Sequence, residues 1–427
     1  MEVLKKLKED TLNAVLTVVE EVEVKDGPLS GLPVAVKDNI TTAGIRTTAG
    51  SKILENYVPP YDATVVKRLK GAGAPIVAKT NLDEFAMGST GENSAFGPTR
   101  NPHDPSLVPG GSSSGSAAIV GAGVVPAALG SDTGGSIRLP AAFCNVWGLK
   151  PTYGRASRYG LIAFASSLDV IGPIAGDIDT LGKVMEVISG PDGRDATTLD
   201  LPPFSYEKAK EFARKGRYRV GVVSDHLSIV SEEVRERFLS FVERLSSDGN
   251  EVVEVRLNSG RFALPSYYVI ATAEASSNLA RYDGVRYGVR MEGEDMMETY
   301  VRTRSLFGKE VKRRILVGTF VLSHGYYEAY YLKALKARRL IKDEVEAWFK
   351  DVDVVLTPTN PTLPPKIGAG FSPVEYYRLD TLTVPFSLAG VPALNVPLGG
   401  FVGMQVVAPF GEDERAVGFG KYVSDLL

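Results

Sequence analysis

The run GSDTGGSIR, residues 130 to 138, contains a serine that could act as a nucleophile although no histidine lies in or beside it. Serine is a poor nucleophile at its ordinary pKa and needs a neighbouring base. Ser136 follows two residues without side chains, Gly134 and Gly135, so the backbone N–H groups of Thr133 to Ser136 are accessible. Consecutive N–H groups of this kind can hold the oxyanion of acyl transfer. The run therefore indicates acyl-transfer chemistry with a base other than histidine.

Two lysines end similar apolar runs and are candidates for that base. Lys37 ends the run in LPVAVKDNI, and Lys79 ends the one in APIVAKTNL. Each run predicts a buried strand, and residues just past the carboxyl ends of strands line the ligand crevice of open α/β sheets. Burial disfavours the ammonium form, so a lysine there could be neutral and accept a proton. The pattern leaves open which lysine does so, and whether either simply extends to solvent.

Other chemistries lack their sequence signals. Residues 111 to 115, GSSSG, match the GxSxG pattern of α/β-hydrolases with Ser113 as nucleophile, but the preceding DPSLVPG does not predict the required strand. No phosphate loop or dinucleotide fingerprint is complete. The three histidines are far apart and Cys144 is the only cysteine, so neither a metal site nor a disulfide framework is expected.

The elements that must position these residues alternate between strands and helices. Between the two lysine-ending strands, DATVVKRLKGAGA has helical spacing and ends in glycine. A strand, helix, strand order favours a largely parallel sheet with helical cover. Further strands are predicted at VVPAALG, YRVGVVS, EVVEVRL and DVVLTPT, and further helices over 114–123, from 137, over 231–249 and over 326–349.

The domain organisation is predicted to be simple. No fixed-period repeat or low-complexity linker occurs, which favours one domain over residues 1 to 427. Its core is expected at about 31 to 175 and a less regular αβ portion at about 190 to 350. The αβ stretch at 190 to 260 could be a subdomain or part of one large sheet. The first 24 residues are predicted to form an amphipathic helix.

Charge and hydropathy limit the possible partners. The formal net charge is −3 and the isoelectric point is near 5.9, so the chain provides no field to hold a phosphate backbone by itself. No apolar stretch reaches the roughly 20 residues that span a bilayer. The first residues lack the pattern of a secretory signal. A cytoplasmic protein is expected, with no membrane contact and with nucleic acid bound only through a partner.

Together, the strand VAVKDNI, the run GGSS from Gly110 and the run GSDTGGSIR resemble the amidase signature family, over nearly the whole chain. The resemblance implies an α/β fold with one large mixed β-sheet covered by helices on both faces. It also implies a triad of Lys37, Ser112 and Ser136, with a cis peptide bond before Ser112, and so favours Lys37 over Lys79.

The chemistry implied by this resemblance is amide hydrolysis. Ser136 attacks the carbonyl while Ser112 relays its proton to Lys37. The N–H groups of Thr133, Gly134, Gly135 and Ser136 hold the oxyanion, ammonia leaves, and water or a second nucleophile takes the acyl group. The sequence departs from the usual family pattern at Ser114, which stands where a glycine is common.

Residues 267 to 288, 310 to 320 and 326 to 339 resemble one branch of the family, the glutaminase subunits of tRNA-dependent amidotransferases. This implies glutamine as substrate, with Arg314 on its α-carboxylate and Asp380 on its α-amine. It implies that ammonia passes to partner subunits B and C, where ATP and magnesium support amidation of a tRNA-bound glutamate. The chain itself then needs no cofactor or metal, and tRNA binds through the partner.

Two other functions remain open from the sequence. A stand-alone amidase acting on another small amide would have a wider, apolar pocket and no need for Arg314. A non-catalytic protein that keeps the fold would not need the set of Lys37, Ser112 and Ser136.

Overall fold

The strands are short and lie throughout the chain. The computed structural model describes residues 2 to 21 and 25 to 427. The strands in these ranges are β1 (Val15–Val18), β2 (Val34–Lys37), β3 (Ile76–Thr80), β4 (Ala127–Asp132), β5 (Trp147–Lys150), β6 (Val170–Ala175), β7 (Arg219–Val223), β8 (Glu251–Val255), β9 (Val354–Pro358), β10 (Ala393–Pro397) and β11 (Gly403–Val407).

The helices vary more in length. They are α1 (Glu2–Lys8), α2 (Thr64–Gly71), α3 (Ser114–Gly121), α4 (Arg138–Phe143), α5 (Ile178–Ile188), α6 (Tyr206–Ala213), α7 (Ser224–Leu227), α8 (Glu232–Ser247), α9 (Ala263–Asn278), α10 (Met296–Arg304), α11 (Lys309–Val321), α12 (Leu332–Trp348), α13 (Pro373–Arg378), α14 (Val384–Ala389) and α15 (Asp413–Ser424).

In the described part of the chain, eleven strands form one mixed sheet in the order β1-β3-β2-β4-β6-β5-β10-β11-β9-β7-β8. β2 is parallel to both of its neighbours, β3 and β4, and β7 is parallel to β8 and β9. The other pairs are antiparallel. Because β2 and β4 run in the same direction side by side, their last residues, Lys37 and Asp132, lie at the same edge of the sheet.

Alternate strand residues face two helical layers. Val34 and Val36 of β2 join a core with α2, α5, α6, α8 and α15. Ala35 faces the opposite layer, whose core includes residues of α1, α3 and α4. Further along the same face, α9, α11, α12 and α14 pack on the sheet through a third cluster. The architecture implied by the family resemblance, one mixed sheet with helices on both faces, is confirmed. The largely parallel sheet predicted from the strand, helix, strand order is wrong, because among the described strands only the pairs of β2 and of β7 are parallel.

The helix predicted for residues 1 to 24 is wrong over most of its length. Only Glu2–Lys8 is helical, and Val15–Val18 is an edge strand antiparallel to β3. The carboxylate of Asp10 accepts hydrogen bonds from the backbone N–H groups of Leu12, Ala14 and Val15, which turns the chain out of the helix. Residues 1 and 22 to 24 lie outside the described residues.

Two other element predictions need adjustment. The strand predicted for VVPAALG begins only after Pro126, which has no N–H for a sheet, and continues to Asp132. The long helix predicted from residue 326 begins with a π-helical turn, Tyr327–Tyr331, and is α-helical from Leu332. The αβ stretch at 190 to 260 contributes β7 and β8 to the same sheet as the signature strands.

Candidate active site

Lys37 ends β2 inside the protein, with no solvent exposure. Its Nζ lies 2.7 Å from Ser112 Oγ, 2.9 Å from Ser131 Oγ and 3.3 Å from the Ser131 carbonyl oxygen. Within residues 2 to 21 and 25 to 427 it forms no ion pair. Burial lowers the pKa of its amine to about 7, although the carboxylates of Asp83, Asp132 and Asp169 act in the opposite direction. A neutral amine is therefore accessible near physiological pH.

Lys79, the other candidate base, is held differently. It is equally buried, but its Nζ lies 3.1 Å from Asp38 Oδ1 and donates to Thr47 Oγ1 at 2.7 Å. Burial lowers the pKa of Lys79 as well, but the paired Asp38 carboxylate acts in the opposite direction and favours the ammonium form. The structure thus brings Lys37, and not Lys79, to a serine.

Ser112 lies in the loop before α3, after a cis peptide bond from Gly111. It is fully buried. Gly111 packs so closely that a Cβ there would come within 2.0 Å of Asp83 Oδ2. The backbone N–H of Asp83 donates to the carbonyl oxygen of Ser112 at 3.3 Å, and the Asp83 carboxylate accepts from the N–H groups of Gly91 and Asn93, so Asp83 connects the loop to a neighbouring segment. The next residue, Ser113, donates its N–H to the carbonyl oxygen of Ser136 at 3.0 Å, which brings the two serine segments together.

Ser136 lies between β4 and α4 and is 7% exposed. Its hydroxyl forms no hydrogen bond with any of the described residues, and the same holds for the backbone N–H groups of Thr133, Gly134, Gly135 and Ser136. Buried N–H groups are nearly always paired, so four consecutive unpaired ones beside a serine are exceptional. They form a place where a ligand oxygen can be bound.

A buried ion pair holds both ends of this loop. Arg138 Nη2 lies 3.0 Å from Asp132 Oδ1, and Asp132 Oδ2 also accepts from the N–H of Ile137 at 3.1 Å. Burial opposes ionisation, but the Arg138 guanidinium lowers the pKa of Asp132. In the middle of the loop, Thr133 Oγ1 donates to Asp169 at 2.7 Å, and Thr383 Oγ1 donates to the carbonyl oxygen of Gly134. The loop is therefore fixed at several points while its N–H groups stay unused.

Arg314 lies on α11 and is almost completely buried. Its Nε donates to Glu310 Oε1 at 2.8 Å, one turn earlier on the helix. Its guanidinium carbon lies 5.3 to 5.5 Å from the ring centroids of Phe164, Tyr268 and Tyr377. Burial works against the charge, yet Tyr268 and Glu310 raise the pKa of Arg314 above its ordinary value. Its terminal nitrogens donate to none of the described residues, so they are available for a carboxylate.

Asp380 is close to Arg314 because both contact the same tyrosine. The Asp380 carboxylate accepts hydrogen bonds from Ser89 Oγ and from the Tyr268 hydroxyl, both at 2.9 Å. Burial raises the pKa of this carboxyl to about 7, in spite of these two donors. The backbone of Asp380 also connects to the loop of Ser136, since its carbonyl oxygen accepts from the backbone N–H of Thr383 at 3.1 Å and the Thr383 hydroxyl donates to the carbonyl oxygen of Gly134. The structure thus places Arg314 and Asp380 together, and places Asp380 beside the Ser136 loop.

A cavity of about 260 Å³ opens beside Arg314 and Ser89, the residue that donates to Asp380. Its lining includes Ser89, Glu310, Arg314 and Tyr377. The terminal nitrogens of Arg314 suit a carboxylate, and the carboxylate form of Asp380 suits an ammonium group, so the two residues match opposite ends of a small zwitterion. The described residues contain no group of histidine, cysteine and acidic side chains that could bind a metal ion.

Several site residues were not identified by the sequence analysis. Ser131, Asp132 and Arg138 lie inside the run that carries Ser136, so their position was a usable signal. Tyr268 lies in the stretch 267 to 288. Ser89 and Asp169 have no local pattern that marks them, because tertiary contacts alone bring them to the site.

Among helices of the described residues, none is long and apolar enough to cross a membrane.

Comparisons with known proteins agree with this site. The Amidase family model matches residues 8 to 417. The glutamyl-tRNA(Gln) amidotransferase A subunit of Thermus thermophilus is 55% identical over 403 residues, covering 93% of this chain and 85% of that protein. The protein of the same name from Halothermothrix orenii is 52% identical over 419 residues, covering 95% and 88%.

The fold comparison gives the same answer. The crystal structure of the glutamyl-tRNA(Gln) amidotransferase A subunit from Thermotoga maritima superposes with a TM-score of 0.85 at 45% identity, covering 98% of this chain and 89% of that one. A family model that spans nearly the whole chain and relatives at half identity confirm the family predicted from the lysine-ending strand and the two serine runs. The chain belongs to the amidase signature family.

Proposed function

We propose that this chain is the glutamine-hydrolysing subunit of a tRNA-dependent amidotransferase. The observation that carries the proposal is the buried amine of Lys37, hydrogen-bonded to Ser112 at 2.7 Å, close to a serine loop with four unpaired N–H groups. The names of the relatives support the choice of reaction, since they are A subunits of glutamyl-tRNA(Gln) amidotransferases.

In the proposed mechanism Ser136 is the nucleophile and neutral Lys37 is the base. As Ser136 Oγ attacks the amide carbonyl carbon, its proton passes to Ser112 Oγ while the Ser112 proton passes to Lys37 Nζ. The oxygen of the tetrahedral intermediate is held by the N–H groups of Thr133, Gly134, Gly135 and Ser136. The proton returns through Ser112 to the leaving nitrogen, which departs as ammonia. Water then attacks the acyl-enzyme by the same route and releases glutamate.

Arg314 and Asp380 would select glutamine among small amides. The free terminal nitrogens of Arg314 suit the α-carboxylate, and the Asp380 carboxylate suits the α-ammonium group. The cation of the bound substrate favours the ionised form of Asp380, whose pKa is about 7 without it. An apolar amide would gain no binding energy from Arg314 or Asp380. Preference for glutamine over an apolar amide therefore distinguishes an amidotransferase subunit from a stand-alone amidase.

Ammonia released here would be used elsewhere in an assembly. We propose that partner subunits B and C receive it, bind tRNA, and hold the ATP and magnesium that activate the tRNA-bound glutamate. A net charge of −3 is consistent with leaving the tRNA to a partner. No step of the amide hydrolysis derived above requires a cofactor in this chain.

The test is ammonia release by the purified chain, alone and with its partner subunits, from L-glutamine, L-asparagine and an apolar aryl amide. Glutamine-selective release is expected, and Ser136→Ala should reduce it to the blank. Release mainly from the aryl amide would show a stand-alone amidase instead. Full activity of Ser136→Ala would contradict the assignment of the nucleophile.

A further inference from the structure

Ser131 contacts the proposed base more extensively than any other described residue does. It lies in β4, next to the last residue of the strand, and β4 runs parallel to β2, which ends at Lys37. Both its hydroxyl and its carbonyl oxygen face Lys37 Nζ, at 2.9 and 3.3 Å. The side chain is 3% exposed.

The contacts of Lys37 match the ammonium form in number. An ammonium group has three N–H donors. The described residues offer three acceptors, Ser112 Oγ, Ser131 Oγ and the Ser131 carbonyl oxygen. A buried ammonium without an ion-pair partner depends on such acceptors, because an unmet donor at a charged group is costly. Two of the three acceptors belong to Ser131.

Asn39 in turn holds Ser131. It lies two residues beyond Lys37, is 1% exposed, and its Nδ2 donates to Ser131 Oγ at 3.0 Å. Its own Oδ1 is buried and has no hydrogen-bond partner among the residues that the structure describes. The Asn39 amide therefore occupies one lone pair of Ser131 Oγ and fixes the orientation of the hydroxyl that faces Lys37.

We propose that Ser131, oriented by Asn39, is a positioning residue that holds the Lys37 amine against Ser112 and stabilises the ammonium that forms when Ser136 attacks. The inference rests on the proposed function, since it needs Lys37 as the base. The charged groups that face Lys37 from other segments are Asp83, Asp132 and Asp169. Each of them is bound to other partners, so Ser131 provides the direct contacts.

The experiment measures the activation of Ser136 without glutamine. A fluorophosphonate reacts with a serine nucleophile: the Ser136 Oγ–phosphorus bond forms, the phosphorus–fluorine bond breaks, fluoride leaves, and the serine proton passes through Ser112 to Lys37. The labelling rate of the full chain is followed from pH 5 to 9. The fall of this rate at low pH, the acid limb of the profile, reports the protonation of Lys37. The Ser136→Ala protein serves as the blank.

Two substitutions should move this limb in opposite directions. Ser131→Ala removes an acceptor of the ammonium, so the limb should move to lower pH by about one unit and the plateau rate should fall about ten- to hundredfold. Asn39→Asp adds a negative charge near Lys37, so the limb should move up by about one unit. Ser131→Thr keeps the hydroxyl and should restore both limb and plateau. A purely structural role would not produce opposite shifts.

The matched control is the other buried lysine. Thr47→Ala removes the hydroxyl that accepts from Lys79, on the neighbouring strand, and should leave the limb and the plateau unchanged. The inference would be overturned if the acid limb of the labelling profile lay at the same pH in wild type, Ser131→Ala and Asn39→Asp. It would also be overturned if Thr47→Ala lowered the plateau rate as much as Ser131→Ala does. An unlabelled wild-type protein would instead contradict the proposed nucleophile, which separates the two failures.

Discussion

Lys37 is buried and forms no ion pair within the described part of the chain, and both properties favour its neutral amine. The amine loses hydration at the end of β2, and burial lowers its pKa to about 7. Lys79 ends the neighbouring strand with the same exposure but meets Asp38 at 3.1 Å. Burial lowers the pKa of both lysines, and they differ in their partners: Lys37 meets two serines, whereas Lys79 meets a carboxylate that favours its ammonium form.

The pH dependence of glutamine hydrolysis follows from two of these groups. Lys37 must be neutral and Asp380 ionised, and both carry pKa values of about 7, so each loses its active form as pH falls below that value. The logarithm of kcat/KM should therefore fall with a slope approaching 2 below pH 7. Labelling by a fluorophosphonate, which has no amine, should fall with a slope near 1. Steady-state rates from pH 5 to 9 check this, and a flat glutamine profile below pH 7 would contradict it.

Arg314 should control affinity for glutamine more than the chemical step. Arg314→Lys keeps a charge but loses the planar fork that binds a carboxylate with two hydrogen bonds. KM for glutamine should rise about tenfold or more, because a hydrogen bond to a charged group is worth about 1.5–3 kcal/mol. The control is Lys312→Gln, an exposed position of the same helix. An unchanged KM with a lower kcat would argue against a binding role.

At the scale of elements, the loop between β4 and α4 is held from both sides. Asp132 and Arg138 join its ends, and α9 presses against its middle through Tyr267. Residues 133 to 136 can thus keep their N–H groups unpaired without the loop collapsing. Ser131 lies in β4 and α4 follows Ser136, so two consecutive elements fix the proposed nucleophile and the neighbour of the proposed base.

Gly134→Ala should test this packing. A Cβ at Gly134 would lie 2.5 Å from Cζ of Tyr267, so either the loop or the ring must move. A displaced N–H donor weakens oxyanion binding, and removal of one such donor costs about 10²- to 10³-fold in kcat. We expect a loss of that order with KM little changed. Gly176→Ala, where a Cβ meets no atom within 4 Å, is the matched control, and equal activities of the two variants would contradict the role of the loop.

At the scale of the molecule, the fold joins distant parts of the chain at one edge of the sheet. Lys37, Ser112 and Ser136 come from the first third of the sequence, whereas Arg314 and Asp380 come from the last. Arg138 connects these parts, because it also donates to the carbonyl oxygen of Thr383, to Ser387 Oγ and to Gln405 Oε1. A single buried cation therefore ties the serine loop to the C-terminal elements.

Asp132→Ala should lower global stability as well as activity. It leaves the Arg138 guanidinium buried without its carboxylate, and the loss of one partner of a buried pair costs about 3–5 kcal/mol. Urea unfolding at pH 7 measures the change. Asp343→Ala removes an exposed partner of Arg339 on α12 and should leave the unfolding midpoint almost unchanged. Equal midpoints for the two variants would show that the pair does not hold the fold.

The sequence by itself determined the parts of the site that lie within single runs. Apolar residues before Lys37 predict a strand that buries it, and glycines before Ser136 leave the N–H groups of its loop accessible. These properties depend on neighbours in the chain, so a pattern records them. The two serine runs and the lysine-ending strand were also enough to predict the family and the mixed sheet.

The tertiary structure alone decided which candidate groups meet. The family resemblance favours Lys37 over Lys79, but the physical reason lies in their partners, Ser112 and Ser131 against Asp38, which tertiary contacts decide. Tertiary contacts also bring Ser89 to Asp380, although the two residues are 291 positions apart in the chain. At the N-terminus an amphipathic pattern predicted a helix, but pairing with β3 made Val15–Val18 a strand. Local pattern fixes which groups are buried, whereas the pKa and the role of each depend on through-space contacts that no run of residues contains.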